Sequence, residues 1–278
     1  MEEKKLLDFS INENMDIFVL IKSAEVRVAK NGKKFIAFNF ADKSGEISAK
    51  FWNATEKEIE EFKEGKVVRL KGKRENYQDN PQIKIFNLRI ATENEPNKPE
   101  YYLQTAPESI KKIEEEINNT FFEITNPKWN RIVRYLLNKY HDSFFSFPAA
   151  KKNHHAFSGG LAFHTVSMLR LAKYDVLNES LLYAGVLLHD LGKVKELSGP
   201  IATKYTLEGN MIGHIVIVDE EIVKACEILQ IDYNSEEVIL LRHMILSHHG
   251  LLEYGSPVRP HIMEAEVLHQ IDQLDASI

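Results

Sequence analysis

Ten of the eleven histidines of this chain lie between positions 154 and 269, interleaved with carboxylates. His164 comes first. The adjacent pair His189-Asp190 follows, then His214, the pair His248-His249, and Asp272. Neutral imidazoles mixed with carboxylates suit divalent transition metals, and such metals activate water for hydrolysis. The spacing is about one group per predicted helix. Helical bundles build metal sites in this way, with side chains converging from facing helices.

Taken singly, each residue has an ordinary structural reading. His164 shares a predicted helix face with Leu161, Met168 and Leu171, as a core histidine would. Asp190 follows the apolar run Val186-Leu187-Leu188, where an aspartate is costly unless it is paired or bound to a metal. Lys193 lies three residues beyond it and four beyond His189, so all three can share a helix face. A salt bridge would account for Asp190 and Lys193, and so would a lysine that meets phosphate. His248-His249 closes a predicted helix, with Gly250 as its C-cap. Taken jointly, the series is hard to reconcile with coincidence.

Elements able to position these groups can be read from periodicity. Residues 107–118, 126–140, 160–175, 179–191, 208–230, 235–247 and 260–275 read as helices. Asn126-Pro127 supplies an N-cap followed by proline in the first turn. Residues 15–90 instead alternate as strands, with turns at Asn31-Gly32, Asp42–Gly45 and Asp79-Asn80-Pro81. A short helix fits at Ala54–Phe62. Five short strands with a helix between the third and fourth look like an OB-fold barrel. Residues 91–106 are polar and carry prolines, and they read as a linker. The expected architecture is therefore a two-domain α+β chain. A five-stranded OB-type β-barrel spans 1–90, and an all-α helical bundle spans 107–278.

Composition limits the function classes. A hydrophobic content of 44% and a charged content of 27% fit a globular protein. The single cysteine, Cys226, excludes an internal disulfide framework and suits a reducing compartment. It reads as a small buried helix residue. No apolar run of membrane-spanning length occurs and the N-terminus lacks a signal-peptide core, so a cytoplasmic location is expected. Residues 1–90 carry 18 Lys+Arg against 15 Asp+Glu, and the remainder 17 against 26. The larger part is acidic, which disfavours generic nucleic-acid binding there but not a metal-loaded pocket.

The motif series resembles the HD superfamily of metal-dependent phosphohydrolases. The stretches HHAFSGGLAFHT, LLHDLGK, EGNMIGH, ILSHHG and LHQIDQLDA are similar to one branch, the YhaM family of bacterial 3′→5′ exoribonucleases. Its members join an N-terminal OB domain to a C-terminal HD domain, so the resemblance covers nearly the whole chain. It implies His164, His189, Asp190 and Asp272 as ligands of one metal. Asp190 would bridge to a second held by His214 and His248, with His249 either a ligand or a partner of one. Lys193 would contact the scissile phosphate. His154 and His155 would line the pocket, and His155 and His249 are the candidates to protonate the leaving oxygen. The resemblance favours Mn2+, one or two ions. The chain ends six residues after Asp272, where family members generally continue.

The expected activity is metal-dependent 3′→5′ exonucleolysis of single-stranded RNA, with single-stranded DNA as a further polymer and oligomers open. Tyr77, Lys73, Arg74 and Trp52 are the candidate nucleic-acid contacts on the barrel. The alternative is an HD phosphohydrolase acting on a cyclic dinucleotide, a nucleoside triphosphate or an alarmone, which would need no strand-guiding barrel. A barrel that binds single strands without catalysis is the third reading.

Overall fold

The computed structural model describes residues 4–78, 80–151, 155–173 and 178–277. Of the expected features, Asp79 in the third turn, His154 and the end of the 160–175 helix lie outside these residues. The chain divides into two units, Met1–Thr105 and Ala106–Ile278.

The first unit is built on five strands: β1 Asn14–Val28, β2 Lys34–Asp42, β3 Gly45–Trp52, β4 Val67–Tyr77 and β5 Asn80–Ile90. They close into a barrel in the order β1-β2-β3-β5-β4. Closure needs one long strand to serve two neighbours. β1 pairs with β4 through Leu20 and with β2 beyond it, and a register shift between Ile21 and Ser23 lets it bend. Alternation does the rest: Ile36, Phe38 and Phe40 of β2 point inward with Ile47 and Ala49 of β3. Helix α1, Glu56–Glu61, lies between β3 and β4, as expected. Thr55 and Glu58 form a reciprocal capping box at its start.

Two segments of this unit differ from their sequence reading. The polar N-terminus packs onto the barrel, with Leu6 and Phe9 buried in its core. Residues 91–105 are no free linker. Ala91 and Tyr102 are buried with Leu20 and Val67, and the Tyr102 hydroxyl donates to the Pro96 carbonyl at 2.6 Å. Leu103 packs against the same cluster, so three side chains of a polar stretch fasten it to the barrel.

The second unit is helical: α2 Ile110–Glu123, α3 Pro127–Lys139, α4 His141–Ser146, α5 Gly160–Leu171, α6 Glu179–Leu188, α7 Lys193–Glu196, α8 Leu207–Met211, α9 His214–Leu229, α10 Glu236–Ser247 and α11 Met263–Asp275. Helix α6 is the centre, with every residue from Ser180 to Leu188 buried. Asn126 caps α3 through the amides of Lys128 and Trp129. The helix expected over 208–230 is broken in two. Gly213 at φ 79° turns the chain between α8 and α9, a conformation open to glycine at little cost. Cys226 is buried in α9.

Candidate metal centre

The site is assembled from helix ends. His164 points from the middle of α5. His189 caps the C-terminus of α6, and Asp190 follows it. His214 opens α9, His248 caps α10, and Asp272 lies in the last turn of α11. Apolar faces fix the helices, and the polar ends meet where the core stops.

Two sets of donor atoms result. In the first, His164 Nε2 lies 3.2 Å from His189 Nε2, 3.2 Å from Asp272 Oδ1 and 3.6 Å from Asp190 Oδ2. His189 Nε2 is 3.5 Å from the same Asp190 oxygen. In the second, Asp190 Oδ1 lies 3.4 Å from His214 Nε2 and 4.0 Å from His248 Nε2. His249 completes a cluster with His214 and His248. Asp190 is shared between the sets, one oxygen to each.

Unmet polar atoms test whether a cation fits. Among the described residues, four buried side-chain atoms have no hydrogen-bond partner. Three of them are Asp190 Oδ1, His214 Nε2 and His248 Nε2. Burying such atoms unpaired is costly, and a cation with bonds of about 2.0–2.2 Å would satisfy all three. Electrostatics agree. Burial opposes a charged His164, but its hydrogen bonds to Asp272 and Asp275 and the charge of Asp190 outweigh this and push its pKa up to about 9. A cage that draws a proton this strongly draws a cation for the same reason. Burial and neighbouring imidazoles hold His248 well below the usual histidine range, so it presents the neutral ring a ligand requires.

The outward ring nitrogens are held as well. Those of His189, His248 and His249 meet the carbonyls of Val186, Ile245 and Tyr254 at 2.9, 2.7 and 2.7 Å. Those of His164 and His214 meet carboxylates, Asp275 Oδ2 at 2.6 Å and Glu196 Oε1 at 3.0 Å. Each bond leaves Nε2 free to face the cage.

Lys193 reaches Asp190 Oδ2 at 2.6 Å. Burial favours its neutral form, but the Asp190 charge outweighs burial and keeps it an ammonium. His155 stands apart from the cage. Its Nε2 lies 2.8 Å from Asp275, which also meets His164 Nδ1 on the side away from the donor sets. Asp275 and Glu196 were not singled out from sequence. The one available signal was Asp275 standing three residues beyond Asp272, one helical turn away.

On the barrel, Trp52 and Tyr77 are 55% and 54% exposed. Lys50 stands between them, its Nζ 5.7 Å from the Trp52 ring and 5.4 Å from that of Tyr77. Phe35 stacks beside Trp52 at 4.7 Å. Lys50 was missed, although β3 alternation sets it on the face of Trp52. Lys73 is half-buried and pairs across the sheet with Lys84. Arg74 differs from expectation. Its guanidinium donates to the carbonyls of Leu7 and Phe9 at 2.8 and 2.7 Å, so it anchors the N-terminal segment.

Comparison with known proteins follows the same division. Residues 19–91 match the OB-fold nucleic acid binding domain family and residues 161–277 the HD domain family. A 3′-5′ exoribonuclease YhaM of Listeria monocytogenes serotype 4b is 49% identical over 99% of this chain and 89% of its own length. The chain belongs to the YhaM family. The relative of that name from Bacillus licheniformis is 48% identical over 99% of this chain and 88% of its own. YhaM relatives thus match barrel and bundle together, not the bundle alone. No described helix is long and apolar enough to cross a membrane.

Proposed function

We propose that this protein is a metal-dependent 3′→5′ exoribonuclease acting on single-stranded RNA, with Mn2+ the preferred cation. The carrying observation is the pair of donor sets that share Asp190, with three buried donor atoms otherwise unpartnered. A pair of divalent cations held there would activate water and neutralise phosphate charge.

The chain's own residues supply the remainder. His164, His189, Asp190 and Asp272 would hold one ion, and Asp190, His214, His248 and His249 the other. The Lys193 ammonium adds positive charge beside Asp190, where a phosphate in reaction gains negative charge. The barrel presents Trp52, Lys50 and Tyr77 as one patch, two ring faces for bases with a cation between them for the backbone.

The direct test is 5′-labelled single-stranded RNA incubated with Mn2+. A ladder that shortens from the 3′ end and stops on addition of EDTA is expected. Intact RNA alongside turnover of a cyclic dinucleotide or nucleoside triphosphate would replace this reading with the small-nucleotide one. The barrel patch has its own test. Trp52→Ala with Tyr77→Ala will raise KM for an RNA oligomer by roughly tenfold or more, the size of losing one or two base stacks. Hydrolysis of bis-p-nitrophenyl phosphate, which needs no strand guidance, will stay at the wild-type rate. An equal loss on both substrates would show that the patch acts through the fold.

A further inference from the structure

We propose that Asp275 positions the first half of the metal centre, bracing His164 for its cation and tying the loop that carries His155 to the same point. The inference rests on the metal-dependent reading above. Asp275 lies one turn beyond Asp272, so two carboxylates of α11 reach one imidazole from opposite ring nitrogens. Asp272 Oδ1 is 3.2 Å from Nε2, and Asp275 Oδ2 is 2.6 Å from Nδ1. The same Asp275 oxygen accepts from His155 Nε2 at 2.8 Å. The Asp275 side chain is 10% exposed, and that of His164 is 5% exposed.

Chemistry follows from which nitrogen holds the hydrogen. A carboxylate that accepts from Nδ1–H leaves the Nε2 lone pair free for a cation and makes the ring a more basic ligand. Backbone carbonyls do this for His189 and His248. Within the first set only His164 has a full negative charge behind it, which gives Asp275 leverage over cation affinity that a carbonyl lacks.

His155 shows that the brace extends outward. Its backbone sits at φ 51°, in a left-handed region that is uncommon for residues with side chains though less so for histidine, and its surroundings hold it there. Those surroundings are the Asp275 hydrogen bond, the Ala149 amide on the His155 carbonyl at 3.1 Å, and edge contacts with Phe157 and Phe163. Asp275 therefore holds two histidines from separate stretches of chain in one fixed relation.

The experiment is calorimetric titration of Mn2+ into chelator-stripped full-length protein, with thermal melting of the stripped protein alongside. Asp275→Asn keeps the shape and removes the charge. Its tightest Mn2+ step is expected to weaken about 10- to 100-fold, with a cooperative melt of the stripped protein showing that it still folds and partial recovery in Asp275→Glu. RNA cleavage should then need more Mn2+ while reaching a near-wild-type rate at saturation. His155→Ala, which removes the outer arm alone, is expected to weaken the same step by a smaller factor and serves if Asp275→Asn does not fold. Wild-type affinity in either folded variant overturns the proposal, whatever the melting temperature does. Wild-type protein that binds no Mn2+ removes the metal reading and this inference with it. Loss of binding in Asp190→Asn but not in Asp275→Asn removes this inference alone.

Discussion

Asp190→Asn will cut Mn2+-dependent shortening of single-stranded RNA at least about a thousandfold, the equivalent of roughly 4 kcal/mol of transition-state stabilisation. Among the described residues, no other gives one oxygen to each donor set. The asparagine has nearly the same shape, but its amide carries no charge, and one of its two arms is a donor aimed at imidazoles. Both donor sets are damaged by one atom's change. Lys193 also loses the partner that holds its ammonium at 2.6 Å. Single-turnover rates on labelled RNA, with circular dichroism to confirm the fold, provide the measurement. Activity within tenfold of wild type would mean that the cage is not the catalytic centre.

The second large effect comes from a residue with no functional group. Gly192 has ordinary helical backbone angles, φ −61° and ψ −18°, so conformational freedom is not why glycine stands there. Space is. A β-carbon on Gly192 would lie 2.3 Å from the His214 carbonyl oxygen and 2.9 Å from its Cα. Backbone cannot rotate away as a side-chain tip can, so Gly192→Ala must push the start of α9 outward and carry His214 with it. Overpacking of this kind costs about 1–3 kcal/mol, and displacement of a reacting group by about 1 Å can cost about a hundredfold in rate. We expect a melting temperature lower by roughly 2–10 °C and a rate loss near a hundredfold at temperatures where the variant is folded. A stable variant with full activity would show that His214 tolerates the shift and lies outside the centre.

Much of this architecture can be read from periodicity. The barrel strands declare themselves through alternation in FIAFNFAD and EISAKFW, and the ligand series through one histidine or aspartate group per helix. Other features depend on tertiary distance, which sequence does not carry. Glu196 reads as a helix-end acid until His214 is seen beside it. Arg74 reads as a basic contact next to a loop until the Leu7 and Phe9 carbonyls arrive to meet it. Leu6 and Phe9 stand in a charged stretch beside Leu7 and Ile11, which stay exposed, so no period announces that the segment belongs to the barrel core. Gly213 breaks an apolar helical pattern because the chain must turn to present His214, and the period on either side of it does not change.

Helix α6 has a kinetic consequence. Its residues from Ser180 to Leu188 are all buried, and His189 and Asp190 hang from its end. Amides in such a segment are expected to exchange with solvent among the slowest of the unit, which native-state hydrogen exchange would measure. Two ligands of the first donor set, one of them also in the second, are thus anchored to a segment expected to be among the last of the unit to yield. Loss of that helix would take His189 and Asp190 with it, and so would undo both donor sets at once.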